Sequence, residues 1–261
     1  MLAKLAQLVA LTMSAVAFAQ DHQPARIDSD STQSVELVKT GLLVVSRAQG
    51  NTVVRLSGNG IILVDGALPG HYGELVAKIR RIADELPIRM LITTSQDETH
   101  AGTNADFLSR GIPVVAQEKA QEHSRGGSST QAKVAPPSVT FGQERTIKLG
   151  GVTVQLFYFG PAHTDADAVV YFPDLKVVAV GDLYTRAAPY VDPDNGGSLA
   201  GWAAVLQGVL QLDFDRVIPG SGAVVGRAEL QTFKSRIDAL IARELPPAMA
   251  KYQPAGGCCA R

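Results

Sequence analysis

Residues 91–104 read L-I-T-T-S-Q-D-E-T-H-A-G-T-N. They follow an apolar, strand-like run, I-R-M-L-I-T-T, and lead into A-G-T-N-A-D-F-L, whose small residues open a helix. A strand-end loop that feeds a helix is where α/β proteins place their chemistry. This loop has the look of a metal site from which most ligands are gone. His100 is its one histidine, with Ser95, Asp97, Glu98 and Thr99 around it.

Upstream lie three β-type runs, V-E-L-V-K-T-G-L-L-V-V-S, N-T-V-V-R-L-S and I-I-L-V-D-G, punctuated by hairpin turns at Gly50-Asn51 and Gly58-Asn59-Gly60. The spacing of Leu75, Ile79, Ile82 and Leu86 predicts a helix over His71–Leu86, stopped by Pro87. Downstream of the quoted loop the pattern predicts a helix to Arg110, a strand I-P-V-V-A and a helix around Glu118–His123. Residues 124–138 then form a polar, Pro/Gly-rich connection read as a flap.

The second half repeats this plan. Strands V-T-F-G-Q, R-T-I-K-L, V-T-V-Q-L-F-Y-F, A-V-V-Y-F and V-V-A-V-G-D precede a helix over Leu199–Leu212. A strand R-V-I-P and a last helix over Arg227–Leu245 complete it. Strands, helix, strand, helix, twice over, bury every apolar face if two sheets face each other with helices outside. The predicted fold is therefore α/β: a four-layer αβ/βα sandwich of two facing mixed sheets with outer helices.

The chain has 261 residues, 46% of them hydrophobic, enough for one well-buried domain, predicted at 35–248. Its formal charge of −1, with acids and bases interspersed, argues against a nucleic-acid partner. Residues 1–19 carry Lys4, an apolar run and the A-x-A pattern Ala17-Phe18-Ala19, the features of a cleaved secretory signal. The run is shorter than the ~20 residues of a membrane span. The expectation is a secreted, periplasmic protein with no membrane attachment after cleavage, a flexible leader at 20–34 and a flexible tail at 249–261. Cys258 and Cys259 are adjacent in that tail, and neighbouring cysteines close only a strained ring, so no disulfide staples the core.

Several landmarks, taken in order, resemble the metallo-β-lactamase superfamily. They are I-I-L-V-D-G, the T-x-x-x-x-x-H-A-G-T-N loop, G-P-A-H-T-D-A-D at 160–167, V-G-D at 180–182 and V-I-P-G-S-G at 217–222. G-G-S-L-A-G-W at 196–202 is similar to a subset of hydrolase-like members. The resemblance covers roughly residues 40 to 245. It implies a first loop of the form T-H-x-H-x-D-H. Two of its histidines and the histidine of G-P-A-H hold one zinc. Its Asp and last His, with a histidine from P-G-H-G, hold the other, and the G-D aspartate bridges them. Anchored on H-A-G-T-N, the comparison puts Ser95 and Asp97 at the two motif histidines, Thr99 at the motif Asp and Ser221 at the last histidine. His100, His163 and Asp182 are kept.

A serine or threonine hydroxyl must ionise to bind zinc well, so Ser95, Thr99 and Ser221 are replaced ligand positions and a two-zinc site is not expected. Asp97, His100, His163 and Asp182 remain, two carboxylates and two imidazoles, a set that balances at most one divalent ion, zinc first. The metal-free alternative keeps the same residues as loop-holding hydrogen bonders, with Asp182 capping the loop Leu183–Ala187 and neutralised by Arg186, and His163 bonding a backbone carbonyl. Without a cation, the two carboxylates should raise each other's pKa. A Ser-His-Asp arrangement of Ser95, His100 and Asp97 is disfavoured, because three residues within one short loop seldom reach that geometry. His22, His71 and His123 read as surface residues. The implied function is a degenerate-site, pseudoenzyme or small-molecule-binding role, the ligand lying in the inter-sheet cleft. The alternative is a one-metal hydrolase acting on an ester, amide or lactam.

Overall fold

The computed structural model describes residues 26–30, 33–126 and 134–244. The signal segment, residues 127–133 of the flap, the tail and both cysteines lie outside these residues. The first sheet has eight strands in sequence order: β1 (Arg26–Asp30), β2 (Gln33–Lys39), β3 (Leu42–Arg47), β4 (Gly50–Ser57), β5 (Gly60–Val64), β6 (Ile88–Ile92), β7 (Val114–Gln117) and β8 (Val139–Phe141). β1 to β5 are antiparallel and β5 to β8 parallel. The second sheet comprises β9 (Glu144–Leu149), β10 (Val152–Phe157), β11 (Val169–Phe172), β12 (Val177–Gly181), β13 (Arg216–Pro219) and β14 (Val225–Gly226), ordered β14-β13-β12-β11-β10-β9. There only β12 and β13 run parallel.

The period-two alternation of β5 and β12 shows why four layers form. Ile62 and Val64 on one face of β5, and Val177 and Ala179 on one face of β12, enter a shared core between the sheets with Phe172, Leu156 and Ile218. Ile61 and Leu63 face the other way, onto Leu75 and Ile79 of α1 (Tyr72–Ile82) and Phe107. Val178 and Val180 likewise meet Trp202, Leu206, Phe233 and Ile237. Those residues come from α5 (Leu199–Val209) and α6 (Arg227–Glu244) when the helices are numbered along the chain. Every side chain of β5 is buried, as a strand covered on both faces requires. The αβ/βα sandwich read from the sequence is the fold observed.

Four local expectations need correction. The run V-E-L-V-K-T-G-L-L-V-V-S is a hairpin, not one strand: Gly41 adopts φ 76 and turns β2 into β3. Within the expected leader, Arg26–Asp30 forms a strand that pairs antiparallel with β2. The helix expected to run to Arg110 is broken into α2 (Glu98–Ala101) and α3 (Asn104–Leu108). Gly102 between them lies against Pro69, where a Cβ would sit 2.5 Å from the ring, and the Thr103 hydroxyl accepts from Ala67 N. Finally, α1 ends at Ile82, where Ala83 turns to φ −155, although Leu86 still packs on the same core. The remaining helix, α4, spans Glu118–Gly126, so it takes up the start of the expected flap.

Candidate metal centre

The parallel pairs β5/β6 and β12/β13 set the position of the site. Their C-terminal ends meet where the two sheets come together, and each end releases a polar residue: Asp65 after β5, the 94–100 loop after β6, Asp182 after β12 and Gly220-Ser221 after β13. A fifth segment, 160–168, follows β10 and brings His163. Strand ends are a common location for α/β ligand sites for this geometrical reason.

Asp65 was not singled out from the sequence, yet it anchors the loop. It is a non-glycine residue at φ 62, and its carboxylate accepts from Thr94 N at 2.7 Å and from Thr94 Oγ1 at 2.8 Å. Aspartate tolerates this left-handed conformation better than most residues, and such outliers gather at functional sites. Its place directly after an all-apolar strand was the available signal. Gly181 presses on the same threonine: at φ 53, a Cβ there would lie 2.3 Å from Thr94 Oγ1.

His100 is buried, its Nε2 2.9 Å from Asp182 Oδ2 and its Nδ1 3.0 Å from Asp65 Oδ2. The second contact lies off the ring's N–H direction, so it is an ion pair more than a directed hydrogen bond. Burial alone would lower the imidazole pKa, but the charges of Asp182 and Asp65 outweigh it and raise it well above 6.5. Burial would raise the Asp182 carboxyl, yet His100 pulls it down to about 2. The expected mutual raising of carboxylate pKa values therefore fails at Asp182, because an imidazolium stands beside it. Arg186, offered as its neutraliser, is not the group that does this.

Asp97 begins α2 but does not cap it with its side chain. Its carboxylate turns instead to His163, Oδ2 lying 3.1 Å from Nε2, while Asp182 Oδ2 is 3.8 Å from the same nitrogen. His163 Nδ1 donates to the Tyr190 carbonyl at 2.8 Å, as the backbone-carbonyl alternative anticipated. In the neutral ring that bond leaves the Nε2 lone pair facing two carboxylates, a position that calls for a proton or a cation. Burial opposes the proton, but the Asp97 hydrogen bond, Asp167 and the Tyr190 bond raise the His163 pKa to about 9. Asp167, buried and bonded to Thr164 N at 2.8 Å, is pushed by burial up to about 7.

The fit to a metal can be judged from these donors. Asp97, His163 and Asp182 each offer an atom within 4.8 Å of the others. Tetrahedral zinc with bonds of about 2.0–2.2 Å separates its ligands by about 3.3–3.6 Å, between the 3.1 and 3.8 Å measured from Nε2. Asp97 Oδ1 is buried without a hydrogen-bond partner, the kind of orphaned acceptor a cation would satisfy. One ion fits. A second does not. Ser95 Oγ is occupied by Asp97 N at 3.2 Å, Ser221 is exposed, Thr99 brings only a hydroxyl, and His100 has a carboxylate at each nitrogen. His100 thus joins the group as the partner of Asp182 and not as a mutually near donor. The Ser-His-Asp arrangement does not form, since Ser95 Oγ bonds Asp97 N and neither His100 nitrogen bonds it.

Two bland histidines separate in the structure. His71 meets Glu74 on the surface at 3.1 Å. His123 is only a quarter exposed and lies 2.5 Å from Asp165, tying α4 to the His163 loop, which corrects its reading as a plain surface residue. The surface cavities lined by Tyr184, Arg186, Phe233 and Arg236, and by Leu37, Leu43, Leu56 and Ile82, share no residue with the metal-fitting cluster. Access to that cluster is instead from solvent, the Asp182 and Asp97 side chains keeping 31% and 19% of their surface.

The strand-end cluster lies between the two facing sheets of a hydrolase-like αβ/βα fold. The profile of the metallo-beta-lactamase superfamily matches residues 46–221, and the chain belongs to that family. It is similar to the 2,4-dinitroanisole O-demethylase subunit alpha of Nocardioides sp. (strain JS1661), 24% identical over 206 residues, 77% of this chain and 61% of that one. It therefore spans about three-fifths of that subunit's length. It is also similar to a metallo-beta-lactamase type 2 of Bacillus sp. (strain 170), 25% identical over 185 residues, 67% of each chain. Among solved structures, a metallo-beta-lactamase from Pseudomonas aeruginosa in its mono-zinc form superposes with a TM-score of 0.69 at 17% identity, covering 82% of this chain and 98% of that one. The last likeness concerns the fold alone.

Proposed function

We propose that this protein holds at most one divalent ion, zinc by its donor chemistry, on Asp97, His163 and Asp182. On this reading the family's two-zinc hydrolysis is lost and the site serves a small-molecule-binding, pseudoenzyme role. One observation carries the proposal: in the half of the site where a second ion would belong, the remaining imidazole, His100, has both nitrogens against carboxylates. The chain's own residues then have distinct tasks. Asp65 and His100 hold Asp182 in place, with a proton kept at His100 Nε2. The Tyr190 carbonyl fixes the His163 tautomer, so that Nε2 presents its lone pair to the ion.

A second reading, a one-metal hydrolase for an ester, amide or lactam, is favoured by the unpartnered Asp97 Oδ1. A bound zinc would polarise the carbonyl and acidify adjacent water. Residues 1–19 further support export to the periplasm, which intact mass of the native protein tests by a chain starting at Gln20. No helix among the described residues is long and apolar enough to cross a membrane.

The deciding experiment is elemental analysis of the full mature chain after chelation and zinc reconstitution. The expectation is one zinc or fewer per chain, lost in Asp182→Ala and Asp97→Ala and kept in Ser221→Ala. Two tightly bound zinc ions would overturn the proposal. Zinc-dependent turnover of 4-nitrophenyl acetate or a chromogenic lactam, abolished in Asp97→Ala, would select the hydrolase reading over the binding one.

A further inference from the structure

Tyr190 is the most exposed large hydrophobic side chain among the described residues, at 64%, and it stands beside the metal-fitting cluster. Its ring centroid is 5.9 Å from that of His163, tilted by 57°. On the inner side of the same imidazole lies buried Trp202, with its centroid 6.2 Å away. His163 is thus flanked by one aromatic ring inside and another in water.

The Tyr190 backbone is not a loose loop tip. Its carbonyl accepts from His163 Nδ1, and two residues on, Asp192 N donates to the His163 carbonyl at 2.9 Å. Asp165 N bonds Asn195 O at 2.9 Å and Ser198 N bonds Ala162 O at 2.8 Å, lacing residues 190–198 to the His163 loop. The preceding Ala187 and Ala188 are small and exposed. The backbone that carries this exposed ring is therefore held at a fixed relation to a polar centre. A ring whose backbone is already ordered loses little further freedom when it binds.

We infer that Tyr190 is the positioning residue for a planar aromatic ligand, whose ring stacks on it while a polar end reaches Asp97, His163 and Asp182. This rests on the small-molecule reading above and adds a ligand class, an aryl compound with an anionic or carbonyl end whose partner is a zinc ion held on that cluster, since the two carboxylates alone would repel an anion. The phenol hydroxyl is not required; the ring face is. Stacked aromatic pairs have the size of effect expected here, roughly two- to tenfold in affinity.

The sole tryptophan supplies the readout, because Trp202 lies next to His163 and a nitroaryl bound there quenches it. The full mature chain, with and without one equivalent of zinc, is titrated with 4-nitrobenzoate, and separately in competition with cyclohexanecarboxylate, which has the same charge but is not planar. The expected result is preference for the aryl acid, a roughly two- to tenfold loss in Tyr190→Ala and an affinity in Tyr190→Phe equal to that of the unmodified protein. Cyclohexanecarboxylate affinity should not move in either variant. Absence of 4-nitrobenzoate binding, no aryl preference, or equal affinity in Tyr190→Ala overturns the assignment. The metal reading fails separately: Tyr190-dependent aryl binding in a protein that takes up no zinc leaves the platform and removes the ion. One bound zinc with no aryl preference does the reverse. The exposed side chain makes Tyr190→Ala a safe variant for folding, and a melting curve checks it.

Discussion

Replacing Asp182 by asparagine keeps its shape and removes the charge that faces His100 across 2.9 Å. The magnitude follows from the carboxyl's own shift, from 3.8 in the free side chain to about 2 in the fold. At 1.36 kcal/mol per pKa unit this is about 2.4 kcal/mol, and a side chain 31% exposed reduces it by solvent screening to about 2 kcal/mol. For a domain of this size that is a fall in Tm of about 4–8 °C. The sign with pH is fixed. A carboxyl with a lowered folded pKa stabilises above its unfolded value of 3.8, and that stability disappears as pH falls through about 2. His100, raised, stays protonated throughout that acid range. The gap between wild type and Asp182→Asn should therefore be constant from pH 7 to 5 and about half as large at pH 3. Urea unfolding followed by Trp202 fluorescence, with chelator present so that no metal contributes, measures it. A gap below about 0.5 kcal/mol at pH 7, or one that stays undiminished at pH 3, would refute the ion-pair account.

Zinc affinity should rise with pH below about 9, by up to roughly tenfold per unit, because the ion must displace the proton that His163 otherwise holds between Asp97 and Asp182. Competition with a chromophoric chelator at pH 6.5 and 7.5 checks this, and a flat profile would remove His163 from the ligand set. Gly181→Ala should cost roughly 2–4 kcal/mol, since the added Cβ meets Thr94 Oγ1 and the backbone stands at φ 53. The corresponding change at Gly111, at φ 73 with nothing near its Cβ position, should cost less, and chemical denaturation of the two variants compares them.

The layer order was legible in the sequence because it follows from composition along short segments. Ile61-Ile62-Leu63-Val64 can be buried on alternate faces only if both faces of the strand are covered, whatever the rest of the chain does. The proposal of at most one ion starts from the sequence for a similar reason: the hydroxyls of Ser95, Thr99 and Ser221 are poor zinc donors in any geometry. Breaks that depend on contact were not legible. α2 and α3 separate at Gly102 because Pro69 fills the space against it, and Pro69 lies far from it along the chain. Partnership was decided only by the tertiary structure. Nothing in V-D-G or V-G-D says that Asp65 and Asp182 will take opposite sides of His100, or that Asp97 will leave its helix end for a histidine 66 residues away. Those pairings exist because parallel strands from two different sheets end at one place. Charges brought within 3 to 4 Å in a buried setting settle which groups carry protons, and sequence distance has no bearing on that.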